Sequence, residues 1–416
     1  MKNQNQNKPL RLAEKGFIIL GLMSFPGILY VLPKIGLAPQ EVITLIKYSI
    51  WLILITLACI FGKSLITTAS RNVSLCLLIA LASISFLWSQ FPEFTLSNAT
   101  EVFMMTLFGL YLGTRFSLKE QVELVARYLL ITGILSTVVA LVFPLVGVDQ
   151  VIHPGAWKGV YGQKNVLGSM MVLSSLTFFA LPKENSTLYK WFGFTFSLVL
   201  MLLSTSKTCL VVSLLVILII MFYRNFKWQG KISVIFLNLL ILIFACVAVL
   251  VLTYWIELLT GLGRDPSLTG RTPIWNVMIT RLIEQPLFGY GLNAFWAPDS
   301  PYAIEAGRGL TSSWIPPNGH NGFLDLSVDV GLVGLGLFLI SYFKTFVRSL
   351  KLAYASKNSE DIWSLAYLFF LAMNNVTESY LMHPFNIYWV FYTAIAITMN
   401  KKIQKNKFTN IYSHVI

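Results

Sequence analysis

The sequence predicts an all-α polytopic membrane protein. Of its 416 residues, 56% are hydrophobic and only 12% are charged, whereas a soluble globular domain carries about 25% charged residues. The apolar residues form long blocks at 42–61, 73–88, 208–223 and 232–255. Each block is long enough, or nearly so, to cross a hydrocarbon core at about 1.5 Å per residue. Because a backbone in lipid must satisfy its own hydrogen bonds, we expect these blocks to be helices.

About twelve transmembrane helices fit the hydropathy pattern, within a single integral-membrane domain that covers residues 1–416. An even number of crossings places both termini on the same side of the membrane. The predicted spans are about 16–33, 42–61, 72–90, 98–114, 122–147, 165–182, 188–204, 208–223, 232–257, 320–343, 361–381 and 385–400.

The lysine and arginine residues orient these spans, because basic residues concentrate in cytoplasmic loops. With both termini cytoplasmic, 22 of the 31 basic residues and six of the 18 acidic residues lie on the cytoplasmic side. That side then carries a net charge of +16, and the rest of the chain carries −3. The overall charge of +13 is therefore an orientation signal, and it needs no nucleic acid partner to explain it.

Two predicted external loops are longer than the other connections. Residues 148–164 precede the sixth span, and residues 258–319 form a large loop before the tenth. Structureless loops of the second length are uncommon unless they are functional. Four apolar residues within 273–284 have the spacing of a short amphipathic helix, which we expect to lie at the membrane interface. The loop tryptophans favour anchoring at the interface over stacking on sugar rings; they are Trp275, Trp296 and Trp314.

The first local motif surrounds His320. Asn321 follows it directly, and after nine further residues comes the sequence Gly331-Leu332-Val333-Gly334. A histidine at the outer mouth of a span titrates near neutral pH and can reach a substrate, and the glycines would let a neighbouring helix approach closely. The alternative is that His320 is only an interfacial cap and the glycines are only packing positions.

The second motif contains Arg264 and Arg271, which bracket a turn-rich segment ahead of the predicted amphipathic helix. Planar guanidinium groups bind phosphate oxygens in a forked manner, so such a pair suits a pyrophosphate. The alternative is that Arg264 pairs with its neighbour Asp265 and that Arg271 anchors at lipid headgroups.

Two further motifs supply lysines on the same predicted side. Lys158 and Lys164 flank a glycine-containing segment at the start of the sixth span, followed by Asn165, and a helix N-terminus of this kind can receive an anion. Lys207 lies in the tight outer hairpin between the seventh and eighth spans. The common alternative for Lys158 and Lys164 is a basic anchor at the interface, and the Lys207 hairpin on its own is a weak signal.

Taken together, in this order and spacing, the motifs resemble the O-antigen ligase and Wzy-type polymerase superfamily, and within it the ExoQ-like exopolysaccharide polymerase branch. The resemblance spans roughly residues 150–340 and rests on His320 with its glycines and on segments 159–168, 263–275 and 286–291. One departure concerns Lys158 and Lys207, because ligase-like members often carry arginine near these positions. Lysine supplies the charge without the bidentate fork.

The resemblance implies a GT-C-like fold and an extracytoplasmic glycosyltransferase in the bacterial inner membrane. Its substrates would be undecaprenyl-pyrophosphate-linked oligosaccharides, polymerised into an O-antigen or exopolysaccharide, and a chain-length regulator is a possible partner. We expect His320 to act as the catalytic base, since it is the best external candidate. The sequence has no DxD-like motif and no external cluster of His or carboxylate ligands, so no metal or cofactor is expected, and one base without an evident nucleophile predicts inversion at the anomeric carbon. The residues expected to bind the pyrophosphate are Arg264, Arg271, Lys158, Lys164 and Lys207.

Several polar residues have more open roles. Asp325 and Asp329, four residues apart on the tenth span, are either functional or part of a polar bundle interior. Glu378 either contacts acceptor sugar or caps a helix, and the cap is favoured. Asn321 and Asn165 are further candidates. At the level of function, the alternatives are a ligase that transfers glycan to lipid A core or protein, and a transporter of lipid-linked oligosaccharide.

Overall fold

The computed structural model describes residues 8–225, 231–260, 271–308, 315–356 and 358–412. These residues form helices and connecting loops, with one isolated antiparallel bridge between Val148 and Trp157. The α-helices are α1 (Lys8–Ser24), α2 (Val31–Lys34), α3 (Gln40–Ile60), α4 (Gly62–Ala69), α5 (Val73–Ile84), α6 (Pro92–Arg115), α7 (Leu118–Val142), α8 (Pro144–Gly147), α9 (Lys164–Phe179), α10 (Thr187–Leu203), α11 (Lys207–Asn225), α12 (Lys231–Thr260), α13 (Arg271–Glu284), α14 (Pro301–Arg308), α15 (Gly322–Ala355), α16 (Trp363–Asn375) and α17 (Tyr388–Tyr412).

Each of the twelve predicted spans contains helix, but not every span is one straight helix. By length and apolar composition, three helices of the described chain are able to cross a membrane: α3, α7 and α15. The number rises to five if two bent pairs are counted, with bends of 59° in the first predicted span and 102° between α4 and the helix that follows it. The first bend coincides with Pro26 and with Gly27, whose φ is 68°. The count of twelve crossings stays a prediction.

The apolar surface of these helices identifies an integral membrane protein. Leu45 and Leu52 on α3 are 67% and 66% exposed, and Phe244 on α12 is 72% exposed. Isolated apolar side chains are common on soluble proteins, but whole helices with this surface are not. Lipid is the environment in which such a surface is stable.

The core of the bundle is formed by α16 and the first half of α17. Trp363, Tyr367 and Trp389 are almost fully buried. Helices α6 and α17 approach closely at Gly109 and Gly113, where an added Cβ would lie 2.7 Å and 2.6 Å from main-chain oxygens of α17. This spacing of two glycines four residues apart allows tight helix packing in a membrane.

The two ends of the bundle carry different polar groups. At one end, Arg11 donates hydrogen bonds to Glu14 and Glu120, and Arg115 donates to Glu14 at 2.8 Å. The charge pattern assigned all these residues to the cytoplasmic side. Helix α6 ends here and α7 begins here, so the far end of α7 and the start of α9 lie at the opposite end. The loop motifs meet at that opposite end.

Candidate functional site

His320 sits in a tight turn immediately before α15, and its φ of 50° is in the left-handed region. The preceding residue, Gly319, is held by hydrogen bonds at both its N–H and its carbonyl group. The Gly319 N–H donates to Asp325 Oδ1 at 3.0 Å, and the Gly319 carbonyl accepts a hydrogen bond from Trp275 Nε1 at 2.7 Å. A non-glycine residue rarely adopts this backbone conformation unless its surroundings enforce it. These two hydrogen bonds therefore hold the turn that carries His320.

Asp325 also accepts a hydrogen bond from Trp296 Nε1, at 2.8 Å and through the same Oδ1 atom. The indole N–H groups of Trp275 and Trp296 therefore both bond within the protein, as is usual for a partly buried indole. That these rings anchor at the membrane interface stays a prediction. Trp314 lies outside the described residues.

Glu378 lies at the centre of the site. Its Oε2 is 3.7 Å from His320 Nδ1, and its Oε1 is 3.8 Å from Arg271 Nη2 and accepts a hydrogen bond from Asn165 Nδ2 at 2.9 Å. We call Glu378, His320, Arg271 and Asn165 the Glu378 cluster. Glu378 contributes to a helix cap through its main chain, because its carbonyl accepts from the Gly322 N–H at the start of α15 at 3.0 Å. Its carboxylate also faces three side chains from distant parts of the sequence. Its side chain is 10% exposed and that of His320 is 27% exposed, so the cluster is open on the histidine side.

The loop lysines approach the cluster from α9 and α11. Lys164 is the first residue of α9, directly before Asn165, and its electrostatic neighbours include Asp149 and Lys207. Ser206 Oγ donates to Asn165 Oδ1 at 3.0 Å, which ties the 204–207 hairpin to the cluster. Lys164 is half-buried and Lys207 is exposed at the start of α11. The two cations are therefore close to each other, and both lie in segments that hold Asn165 in the cluster.

One of the five predicted pyrophosphate-binding residues, Lys158, lies apart from the Glu378 cluster. Lys158 lines a separate cavity together with Lys34, and the described lining of that cavity includes no member of the Glu378 cluster. Near it, the Val151 N–H holds the pKa of Asp149 below its usual range, so Asp149 is ionised at neutral pH. Arg264 lies outside the described residues.

The glycine motif at residues 331–334 of α15 packs against the glycine-containing loop segment 286–291. Helix α15 is broken at Val330 and Gly331, where Gly331 has φ 70°. Segment 286–291 fills the break: the Leu332 N–H donates to the Pro286 carbonyl at 2.7 Å, and the Tyr290 N–H donates to the Val328 carbonyl at 2.8 Å. The expected neighbour of Gly331 was a helix, but the structure places a loop there. A loop backbone has free polar groups, and the break in α15 exposes the partners for them.

Asp329 and Tyr290 complete this junction. Asp329 is buried, and its main-chain carbonyl accepts from the Gly291 N–H at 2.9 Å. Burial raises the pKa of Tyr290 to about 12, so the phenol remains protonated and donates to the Arg281 carbonyl at 2.8 Å. The polar residues of this half of α15 thus hold the loop that leads to the site.

Helix α13 confirms the predicted helical segment. Ile274 and Met278 are fully buried against Tyr290, Phe295 and Val328, whereas Ile283 is 74% exposed. One side of its apolar face therefore packs on protein, and its location at the membrane interface stays a prediction. This packing brings Arg271, the first residue of α13, to Glu378.

Asn321 has a structural role in the helix that follows it. Its Oδ1 accepts from the N–H groups of Phe323 and Leu324, both at 3.1 Å, and its Nδ2 donates to the Val376 carbonyl at 3.3 Å. It is the N-cap of α15. Across the described parts of the chain, we find no group of three or more His, Cys, Asp or Glu side chains arranged to hold a metal ion.

The comparison with protein families decides the relationship of this chain. Residues 192–339 match the family model described as O-Antigen ligase. This segment runs from α10 into the middle of α15 and contains Arg271, His320 and Asp325. The chain belongs to the O-antigen ligase superfamily, in its ExoQ-like branch.

Individual proteins that are named for polysaccharide production or ligation are also similar to parts of this chain. Over 170 residues it is 26% identical to the exopolysaccharide production protein ExoQ of Rhizobium meliloti (strain 1021), covering 38% of each chain. Over 88 residues it is 33% identical to a putative polysaccharide ligase of Rickettsia conorii, covering 20% of each chain. A putative polysaccharide ligase of Rickettsia prowazekii is 30% identical over 84 residues, which is 20% of this chain and 21% of the relative. The matches therefore span less than half the length of these curated relatives.

The structure of this O-antigen ligase superfamily member adds two residues whose roles sequence reasoning left open. Glu378 joins His320 to Arg271, and Asp325 holds the turn that presents His320. One sequence signal for Glu378 is the run of polar residues at 374, 375, 377, 378 and 379, which interrupts an otherwise apolar block. Asp325 carries a weaker signal, a carboxylate one helical turn after the histidine motif.

Proposed function

We propose that this protein is a glycosyltransferase that polymerises undecaprenyl-pyrophosphate-linked oligosaccharide units into an O-antigen or exopolysaccharide. The observation that carries the proposal is the convergence of His320, Glu378 and Arg271 at one end of an apolar helix bundle. A base, an orienting carboxylate and a cation are the groups that transfer of a sugar from a pyrophosphate to a hydroxyl requires.

His320 acts as the general base. Its Nδ1 faces Glu378, which leaves Nε2 as the ring nitrogen for the acceptor. The acceptor hydroxyl gives its proton to Nε2 while its oxygen forms a bond to the anomeric carbon of the donor sugar. A positioned base contributes about 10²–10⁴-fold to such a step. The Glu378 carboxylate stabilises the imidazolium that forms and fixes the orientation of the ring, as a carboxylate does beside a catalytic histidine.

Arg271, Lys164 and Lys207 stabilise the leaving group. As the bond between the anomeric carbon and the phosphate oxygen breaks, its electron pair moves onto the lipid pyrophosphate. Fixed cations that face the developing charge lower the barrier most effectively when water is excluded. Arg271 offers a guanidinium fork, and the two lysines offer compact charges. Arg264, from the undescribed part of the loop, belongs to the same proposed group.

The proposed reaction is a single displacement that inverts the anomeric carbon, because the site offers one base and the acceptor oxygen is the nucleophile. Cations from the protein take the role that a divalent metal has in other transferases, so turnover is expected to continue in EDTA. The site end of the bundle faces the extracytoplasmic side of a bacterial inner membrane. This orientation follows from the charge bias, with the Arg11–Glu14–Arg115 end in the cytoplasm.

A ligase is the second candidate, favoured by the family description and by the rickettsial relatives. The two functions share the donor and the chemistry and differ in the acceptor. A polymerase takes another lipid-linked glycan, and a ligase takes lipid A core or protein.

The test uses purified protein in nanodiscs with a short lipid-linked oligosaccharide. A ladder of longer lipid-linked products is the expected result, and transfer only to added lipid A core would favour the ligase.

His320→Ala should abolish the ladder. His153→Ala is the matched control, because His153 is exposed in loop 148–157 of the same end. Full turnover by a folded His320→Ala variant would refute the base assignment. Movement of unmodified substrate across a vesicle membrane, without new glycosidic bonds, would indicate a transporter.

A further inference from the structure

A second cation-bearing cavity lies beside the Glu378 cluster at the same end of the bundle. Its volume is about 240 Å³. Two lysines, Lys34 and Lys158, contribute to its wall, and no Asp or Glu is among the described residues that line it. We call it the Lys34–Lys158 cavity. Its other walls come from residues 27, 30, 31, 145–146 and 159–162.

The floor of the cavity is rigid. Gly159 has φ 52° and lies so close to Ser136 on α7 that a Cβ would not fit. The Val160 N–H donates to Ser136 Oγ at 3.3 Å, and the Tyr161 hydroxyl donates to Thr132 Oγ1 at 2.8 Å. The Lys158 N–H donates to the Gly147 carbonyl at 2.9 Å. The backbone that carries Lys158 is thus fixed before any ligand binds, which lowers the entropy cost of binding.

The opposite wall is the broken end of the first predicted span. Gly27, with φ 68°, turns the chain between α1 and the short helical segment that ends at Lys34. Tyr30 lies edge-on to Phe385, with ring centroids 6.1 Å apart, which holds this segment against the bundle. Tyrosine and lysine at the end of a span are typical of the headgroup level of a membrane. The cavity therefore opens where lipid phosphates lie.

The cavity is close to the Glu378 cluster but separate from it. Lys158 lines the cavity and Asn165 binds Glu378, so one short segment of chain borders both places. Seven residues span at most about 25 Å when fully extended, and this segment is shorter because it contains a 3-10 turn at Gly159–Tyr161. The cavity and the Glu378 cluster therefore lie within about 25 Å of each other along this segment.

We propose that the Lys34–Lys158 cavity binds the phosphate group of a lipid, and that this lipid is the acceptor substrate. The second part rests on the function proposed above. Lys158 has one acidic electrostatic neighbour, Asp149, which is not among the lining residues. The two lysines and this carboxylate leave a net positive charge that favours an anion, and lysine binds phosphate as a compact charge. The volume is below the roughly 300 Å³ at which pockets for larger ligands begin. It fits a headgroup phosphate, with the sugar and the hydrocarbon chain outside.

The test measures lipid binding to the full chain in phosphatidylcholine nanodiscs. One arm contains polyprenyl phosphate and the other phosphatidylglycerol, and bound lipid is counted by native mass spectrometry. Lys34→Gln and Lys158→Gln should each weaken polyprenyl phosphate binding by about tenfold, as expected for a lost hydrogen bond to a charged group. Lys183→Gln is the control, since it removes an exposed lysine at the opposite end of the bundle. Lys34→Arg and Lys158→Arg should retain binding, which separates charge loss from misfolding.

The outcomes test the phosphate site and the acceptor assignment separately. Unchanged polyprenyl phosphate binding in the Lys34→Gln, Lys158→Gln double variant overturns the phosphate site. An equal loss of phosphatidylglycerol binding supports a phosphate site but overturns the acceptor assignment, because an ordinary lipid then occupies it equally well. Selective loss of polyprenyl phosphate, together with a raised KM for the lipid-linked unit, supports both parts. If that loss occurs but wild-type protein makes no polymer, the proposed function fails while the phosphate site stands.

Discussion

His320 Nδ1 lies 3.7 Å from Glu378 Oε2, although the two residues flank different helices. This distance is longer than a hydrogen bond but within the range in which a carboxylate stabilises a positive imidazole. Glu378 also faces Arg271 and accepts from Asn165. One carboxylate therefore lies beside both the proposed base, His320, and a residue proposed to bind the pyrophosphate, Arg271.

Glu378→Gln should lower turnover by about 10- to 1,000-fold. The amide keeps an oxygen that accepts from Asn165 but removes the charge that stabilises the His320 imidazolium. The measurement is the initial rate of product ladder formation at saturating substrate. Glu93→Gln, which neutralises an exposed carboxylate in the first turn of α6, should leave the rate unchanged. Equal rates for the two variants would mean that Glu378 has no part in the reaction.

Arg271→Lys should lower kcat by about 10²-fold. Lysine keeps the positive charge but lacks the guanidinium fork that matches phosphate oxygens. Inhibition by added inorganic pyrophosphate should weaken in parallel, because the same group binds product. Arg308→Lys serves as the reference, since Arg308 is exposed at the end of α14. A variant with normal kcat and normal pyrophosphate inhibition would remove Arg271 from the proposed site.

Asp325→Ala should reduce kcat with little change in KM. The substitution leaves the N–H groups of Gly319 and Trp296 without their acceptor, which costs about 1–3 kcal/mol of stability for each buried donor, and it frees the turn that presents His320. Asp325→Asn should restore most of the rate, because its amide oxygen can accept both hydrogen bonds. If alanine and asparagine variants lose activity equally, the role of Asp325 depends on its charge instead of on positioning.

Gly331→Ala should destabilise the fold by about 2–4 kcal/mol. Its backbone is left-handed, and an added Cβ would collide with the Leu287 carbonyl. Gly336→Ala on the same helix is the matched control, because nothing lies within 4 Å of its added Cβ. That variant should be neutral or slightly stabilised. Thermal unfolding followed by circular dichroism measures both, and equal midpoints would contradict the tight fit of segment 286–291 into the break of α15.

The sequence predicted the helical segments and the two polar ends of the bundle because those features are local. An apolar block long enough to cross lipid must be a helix wherever it packs, and helix is found in each of the twelve predicted segments. The charge pattern placed Arg11, Glu14 and Arg115 on one side, and they meet in one network. His320 and Arg271 were found from their motifs, without knowledge of their neighbours.

Only the tertiary structure decided which side chains face each other. Glu378 and Asp325 are ordinary carboxylates in the sequence, and their roles follow from how α13, α15 and α16 pack around the turn at His320. Lys158 resembles Lys164 in sequence, but the backbone held against Ser136 directs it to a different cavity. Hydropathy and charge act over one or two helical turns, whereas contacts between distant residues depend on the packing of the whole bundle.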